Sequence, residues 1–107
     1  MSEKRTVKFT RGDAPRPTLS DSGEIELRAP VPFVIGPGAP VRISLGLRAD
    51  APLLVSSLRV DLDRTFFAAG EDIVLRGTGR VAEPTPVSVG QRLATAIPVA
   101  PVDFDIE

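Results

Sequence analysis

Asp61-Leu62-Asp63, followed by Glu71-Asp72, places four carboxylates within one short span of the chain. Oxygen donors in that density hold hard cations such as Mg²⁺ or Ca²⁺. Glu24 and Glu26 form a second acidic pair. In both places the acids alternate with apolar residues, the pattern of the solvated face of a strand. Arg76-Gly77-Thr78-Gly79-Arg80 offers a different chemistry, because glycines expose backbone N–H groups to an anion and two guanidinium groups flank them. The phosphate-loop lysine is missing. Val74-Leu75 before the stretch and Val81 after it predict a hairpin turn instead. Arg11-Gly12-Asp13 is an integrin-type tripeptide with no secretion signal beside it, and it reads as a turn.

Composition narrows the chemistry further. The chain has 107 residues, no Cys and no His. Thiol nucleophiles, disulfides, zinc sites of the usual kind and histidine acid–base catalysis are therefore excluded. Trp and Tyr are absent, so platforms for stacking bases are scarce. The net charge is −1 and Lys occurs only at positions 4 and 8, so direct nucleic-acid binding is not expected. No apolar run is long enough to cross a membrane as a helix, and no signal-peptide core is present. A cytoplasmic setting is the default expectation.

The elements that must position these groups are strands. Eleven Pro and nine Gly divide the chain into short pieces. Apolar residues alternate within them: Ile25, Leu27, Ala29, Val31 and Phe33; Val41, Ile43, Leu45 and Leu47; Leu58, Val60 and Leu62; Val87 and Val89; Leu93, Ile97 and Val99. Period two over many short segments predicts an all-β sandwich or barrel. Residues 53–69 are the exception. Leu54, Leu58, Leu62 and Phe66 recur every four residues, which also fits one face of a short helix, with Arg59 and Asp63 paired along it. The expectation is a strand, with a helix as the alternative.

One domain is expected over residues 19–107, preceded by an extended arm over residues 1–18. The arm carries Lys4, Arg5, Lys8, Arg11 and Arg16 against Glu3 and Asp13. The chain closes on a strand-like segment, residues 98–107, where Val102, Phe104 and Ile106 alternate with Asp103, Asp105 and Glu107. A basic end and an acidic end attract each other, within one chain or between chains.

Two stretches resemble the dUTPase-like β-barrel, or β-clip, family. In residues 22–52, Gly23, Glu26, Leu27 and Ala29 sit near the family's Gly-x-Asp-Leu-x-Ala motif. Pro37-Gly38 follows at its turn and Leu45-Gly46-Leu47 at its Thr-Gly-Leu step. Gly90-Gln91-Arg92-Leu93-Ala94 resembles Gly-Asp-Arg-Ile-Ala-Gln, and Pro98-Val99 the segment leading to the C-terminal arm. The resemblance covers about half of the chain and implies a compact all-β barrel or clip with extended arms. It also implies a homotrimer in which the C-terminal segment packs on a neighbour.

The family's chemistry is not matched. Those enzymes hold a nucleoside triphosphate and Mg²⁺ between subunits, using a Pro-Arg-Ser-Gly motif, an Asp that positions water, and a Gly-rich C-terminal motif. No Arg-Ser-Gly lies between Pro52 and Val87, and Asp61, Asp63 and Asp72 lack the family's Ile-Asp-x-x-Tyr context. No catalytic, cofactor-binding or metal-binding residue is therefore assigned. The expectation is a non-enzymatic structural protein, a phage capsid decoration or cement protein located in the virion. Lys4, Arg5, Val7, Lys8, Phe9, Arg11, Val102, Phe104 and Ile106 would make its partner contacts. One alternative is a diverged nucleotide pyrophosphatase or nucleotide binder, requiring Arg92, Asp61 or Asp63, and Glu26 to converge across subunits. Another is a small protein-binding regulatory module.

Overall fold

The computed structural model describes residues 7–99. These form eleven strands and no helix: β1 (Phe9–Thr10), β2 (Thr18–Leu19), β3 (Ile25–Arg28), β4 (Phe33–Ile35), β5 (Pro40–Ala49), β6 (Leu53–Ser56), β7 (Val60–Leu62), β8 (Phe66–Phe67), β9 (Asp72–Gly79), β10 (Thr85–Val87) and β11 (Arg92–Pro98). All pairings are antiparallel. The expected all-β architecture is present, with its strands distributed over three sheets rather than one closed barrel. One sheet has the order β1-β5-β9-β7, one β2-β3-β11-β6-β8, and β10 pairs with β4 in a small third sheet.

A single apolar cluster joins the three sheets. Leu27, Leu53 and Ile35, from β3, β6 and β4, are each 0% exposed, and Leu45 and Leu75 face them from the four-stranded sheet. Each side chain removed from water in this way stabilises the fold by about 1.5–3 kcal/mol. The alternation read from the sequence generates this core over β3 and β5, where Ile25, Leu27, Ala29, Val41, Leu45 and Leu47 all point inward. Gly46 adopts φ +69°, and the register between β5 and β9 shifts across this stretch, between Ser44 and Arg48. A bulge of this kind suits glycine because a side chain at positive φ is strained.

Residues 53–69 are strands, so the helical alternative is set aside. The side chains expected to line one face do not do so. Leu54, Leu58 and Phe66 are exposed, whereas Leu53, Val55, Val60 and Phe67 are buried. Short strands separated by a bend reset the parity each time, which a continuous four-residue period cannot describe.

Two further expectations are corrected. Arg76–Arg80 is not a hairpin turn, because Arg76–Gly79 belong to β9 and lie between β5 and β7. Its glycines serve close packing rather than anion binding. A Cβ on Gly77 would lie 2.0 Å from the Asp61 carbonyl oxygen, and one on Gly79 would lie 2.0 Å from that of Gly36. In β11 the register with β3 shifts between Arg92 and Ala94, so Leu93 and Ala94 both point inward. Every later residue of β11 therefore changes face, and Ile97, expected in line with Leu93, points to solvent.

Residues 7–19 run along the domain. Phe9 pairs with Ala49, and Ala14 joins the apolar cluster at 7% exposure. Arg11 to Ala14 form the expected turn, with the Ala14 amide donating to the Arg11 carbonyl oxygen at 2.8 Å.

Candidate functional site

The outer face of the five-stranded sheet carries two rows at right angles to its strands. Cross-strand register sets the first, because Ile97 of β11 lies opposite Leu54 of β6, and Leu54 lies opposite Phe66 of β8. Their exposures are 45%, 43% and 45%. Three large apolar side chains thus form a continuous strip facing water, the kind of feature that marks a contact surface.

The second row is polar. Thr18, Glu26, Thr95 and Ser56 stand side by side on β2, β3, β11 and β6. Glu26 is its hub. The Thr18 hydroxyl donates to Glu26 Oε1 at 2.9 Å, and Arg28 Nη2 donates to the same oxygen at 2.7 Å. Arg92 Nη1 reaches Glu26 Oε2 at 3.3 Å. Arg28 also donates to the Gly90 carbonyl oxygen at 3.0 Å, tying β3 to the turn before β11. The Thr18 hydroxyl, with help from the two guanidinium groups, holds the Glu26 carboxyl below the usual carboxylate range, against a smaller opposing effect of desolvation.

Beside this row lies a groove of about 350 Å³ lined by Glu24, Ser56, Ser57, Leu58, Arg59 and Arg92, among others. Ser57 braces its wall, with its hydroxyl donating to the Leu93 carbonyl oxygen at 2.9 Å and accepting from the amides of Arg59 and Val60. With the Ser57 proton already committed to Leu93, the Ser56 hydroxyl and the two guanidinium groups could grip an anion there.

The remaining acids expected to do chemistry are dispersed. Asp61 pairs with Arg80 at 3.2 Å and Asp72 with Arg48 at 2.6 Å, both on the outside of the four-stranded sheet. Glu71 pairs with Arg64, whose guanidinium also sits 4.8 Å above the Phe67 ring centroid. The Arg64 contact and the Ala68 amide hold the Glu71 carboxyl below its ordinary range. Among the described residues no three Asp or Glu come together as a metal site. Of the groups expected to converge, Glu26 and Arg92 meet within one chain, while Asp61 lies in a different sheet.

Of the expected contact residues, Val7, Lys8, Phe9 and Arg11 line one side of a cleft of about 870 Å³, and Leu19, Ile25 and Pro98 line the other. Lys4, Arg5, Val102, Phe104 and Ile106 lie outside the described residues. Leu54, Phe66 and Ile97 were not singled out as contact residues. Leu54 and Phe66 carry no sequence mark that separates them from buried neighbours, and Ile97 faces out only because of the bulge.

No family model and no curated protein matches the chain. Solved structures do. The dUTPase of Staphylococcus bacteriophage 80alpha, as a point mutant, superposes with a TM-score of 0.67 at 10% identity, over 94% of this chain and 95% of that one. The same phage dUTPase without that mutation gives a TM-score of 0.65 at 10% identity, over 92% and 94%. Those phage dUTPases are described as controlling transfer of virulence genes by a G protein-like mechanism. The chain therefore has a dUTPase-like fold throughout almost all of its length. At this identity the likeness establishes fold alone.

Among the described residues no helix is long and apolar enough to cross a membrane.

Proposed function

We propose that this chain is a non-enzymatic structural protein: a dUTPase-like frame that assembles as a homotrimer and attaches to a larger protein assembly. The specific reading is a phage capsid decoration or cement protein that resides in the virion. The observation that carries it is the Ile97–Leu54–Phe66 strip, a water-facing apolar row beside the polar row on the outer face of the five-stranded sheet. Such a row needs a cover, and another copy of the chain supplies one. Val7, Lys8, Phe9 and Arg11, together with Lys4 and Arg5, would contact the lattice. The capsid assignment draws on the likeness to a phage protein and has the warrant of fold analogy. The paired state of Asp61, Asp72 and Glu71 supports the absence of catalysis, since each carboxylate is engaged by an arginine on an open surface.

The second reading is a diverged nucleotide pyrophosphatase or binder. The groove with Ser56, Arg59 and Arg92 favours it, because these groups suit a phosphate. Incubation with dUTP or dCTP and Mg²⁺, with native mass spectrometry of the same sample, separates the two. The structural reading expects a trimer mass with no bound nucleotide and no released pyrophosphate. Saturable turnover would overturn it.

A further inference from the structure

In the small third sheet, β4 and β10 pair only with each other, so among the described residues both are edge strands. The two edges differ. Pro86 of β10 lies opposite Val34 of β4. Proline has no N–H, so this pair cannot exchange hydrogen bonds, and the backbone polar groups of both residues face away from the ladder. The β10 edge therefore lacks a donor at Pro86, and Pro84, two residues earlier, removes another. Prolines so placed block the addition of a further strand. The β4 edge is open. Val34 keeps both its N–H and its C=O there, and the residue is 61% exposed. Its surroundings are also uncharged. Residues 29–41 contain no ionisable side chain, in a chain of which 25% is charged.

We propose that the β4 edge pairs with the β4 edge of a second copy of this chain, antiparallel, about a two-fold axis at Val34. Three observations select a second copy as the occupant. The edge is its own complement: the Val34 N–H donates to the Val34 carbonyl of the second copy, and symmetry forms the reverse bond, as in a hydrogen-bonded antiparallel pair. A two-fold contact also sets side chains beside their own copies, which a charged edge resists and this uncharged one does not. The apolar surface then continues across the join. Val34 and Pro86 stand side by side and exposed, so the joined sheet β10-β4-β4-β10 carries an unbroken apolar row. The prolines of β10 end that sheet at four strands, so the association closes with two partners instead of growing. With only three residues in β4, the contact is weak. It forms at submillimolar concentration, or where copies crowd on a surface, and not in the dilute range where the apolar strip holds its own contact. The inference rests on neither the capsid reading nor the trimer.

Sedimentation velocity on the full chain tests it, in a Leu54→Glu background so that the two-fold contact is read apart from the strip. Whatever mass this chain has at low micromolar concentration, the mass should double at submillimolar concentration. Adding Val34→Glu or Val34→Lys should abolish the doubling, because each sets like charges together at the axis. An equimolar mixture of those two variants should restore it, since opposite charges then meet. Val34 is exposed, so neither charge disturbs the core. A second readout needs no substitution: exchange of the Val34 amide with solvent, followed by NMR on the unaltered chain, should slow as concentration rises. A mass that does not double, doubling that survives both charges, a mixture that fails to restore it, or Val34 exchange that is independent of concentration would each overturn the proposal.

Discussion

The outer faces of the two large sheets are built to opposite rules. On the four-stranded sheet, charges face solvent at intervals: Arg48 with Asp72, and Arg80 with Asp61. All four of these side chains are more than half exposed, and such pairs contribute little to stability. On the five-stranded sheet, the strip Ile97–Leu54–Phe66 runs beside a compact polar network centred on Glu26, which is only 17% exposed. One face presents paired charges to water, and the other presents an apolar strip to it. The same inward-facing core supports both, so the difference lies in what each strand places on its outward parity.

Phe66 and Phe67 test this contrast within a single dipeptide. Phe67 is 2% exposed and Phe66 is 45% exposed. Phe67→Ala should lower unfolding free energy by about 3–5 kcal/mol, read from denaturant midpoints. Phe66→Ala should cost far less in a dissociated chain while weakening self-association. Equal losses for the two would erase the distinction between an inner and an outer side of β8.

A smaller effect is expected at the packing glycines of the four-stranded sheet. Gly79→Ala forces a Cβ against the Gly36 carbonyl, which is backbone and cannot swing aside. Destabilisation of about 1–3 kcal/mol is expected, by the cost of overpacking. A variant as stable as wild type would mean that β9 does not approach the Gly36 turn as closely as described.

The Glu26 network predicts a pH dependence. Its carboxyl is held below the ordinary carboxylate range in the folded chain, chiefly by the Thr18 hydroxyl. The folded state therefore binds this proton less readily than the unfolded chain. The stabilisation is fully present above the unfolded value and is lost as pH falls through the lower, folded value. Wild type should exceed Glu26→Gln in stability at neutral pH, with the gap closing on acidification. A gap that persists unchanged through acid would contradict the network.

The smallest effect concerns the charged face. Arg42 and Arg76 lie directly opposite each other in the β5–β9 register. Like charges so placed repel, so Arg42→Glu should raise stability by about 0.2–1 kcal/mol, less at high salt. A loss of stability would show that Arg42 makes a contact more valuable than the repulsion it suffers.

Much of the fold was legible in the alternation. Ile25, Leu27 and Ala29, or Val41, Leu45 and Leu47, need only a period of two to be placed in a core, and the dUTPase-like resemblance rested on the turns between them. What escaped was local and steric. The bulge at Arg92–Ala94 reverses Ile97, and nothing in Leu93-Ala94-Thr95 announces an extra residue. Gly77 and Gly79 look like a turn because glycine usually marks one, yet here it marks close approach of a neighbouring backbone. The candidate site was legible in part: Glu26 and Arg92 were named, but their partners Thr18 and Arg28 depend on register, and the apolar strip depends on three registers at once.

The central claim is that the apolar strip is covered by other copies of the chain. Sedimentation equilibrium on the full chain, compared with Leu54→Glu, tests it most directly. Leu54 is 43% exposed, so the change places a charge at the middle of the strip without emptying the core. The account predicts a trimer mass for wild type and a monomer for the variant, with unchanged folding. A wild-type monomer at every concentration, or a variant that remains a trimer, would contradict it.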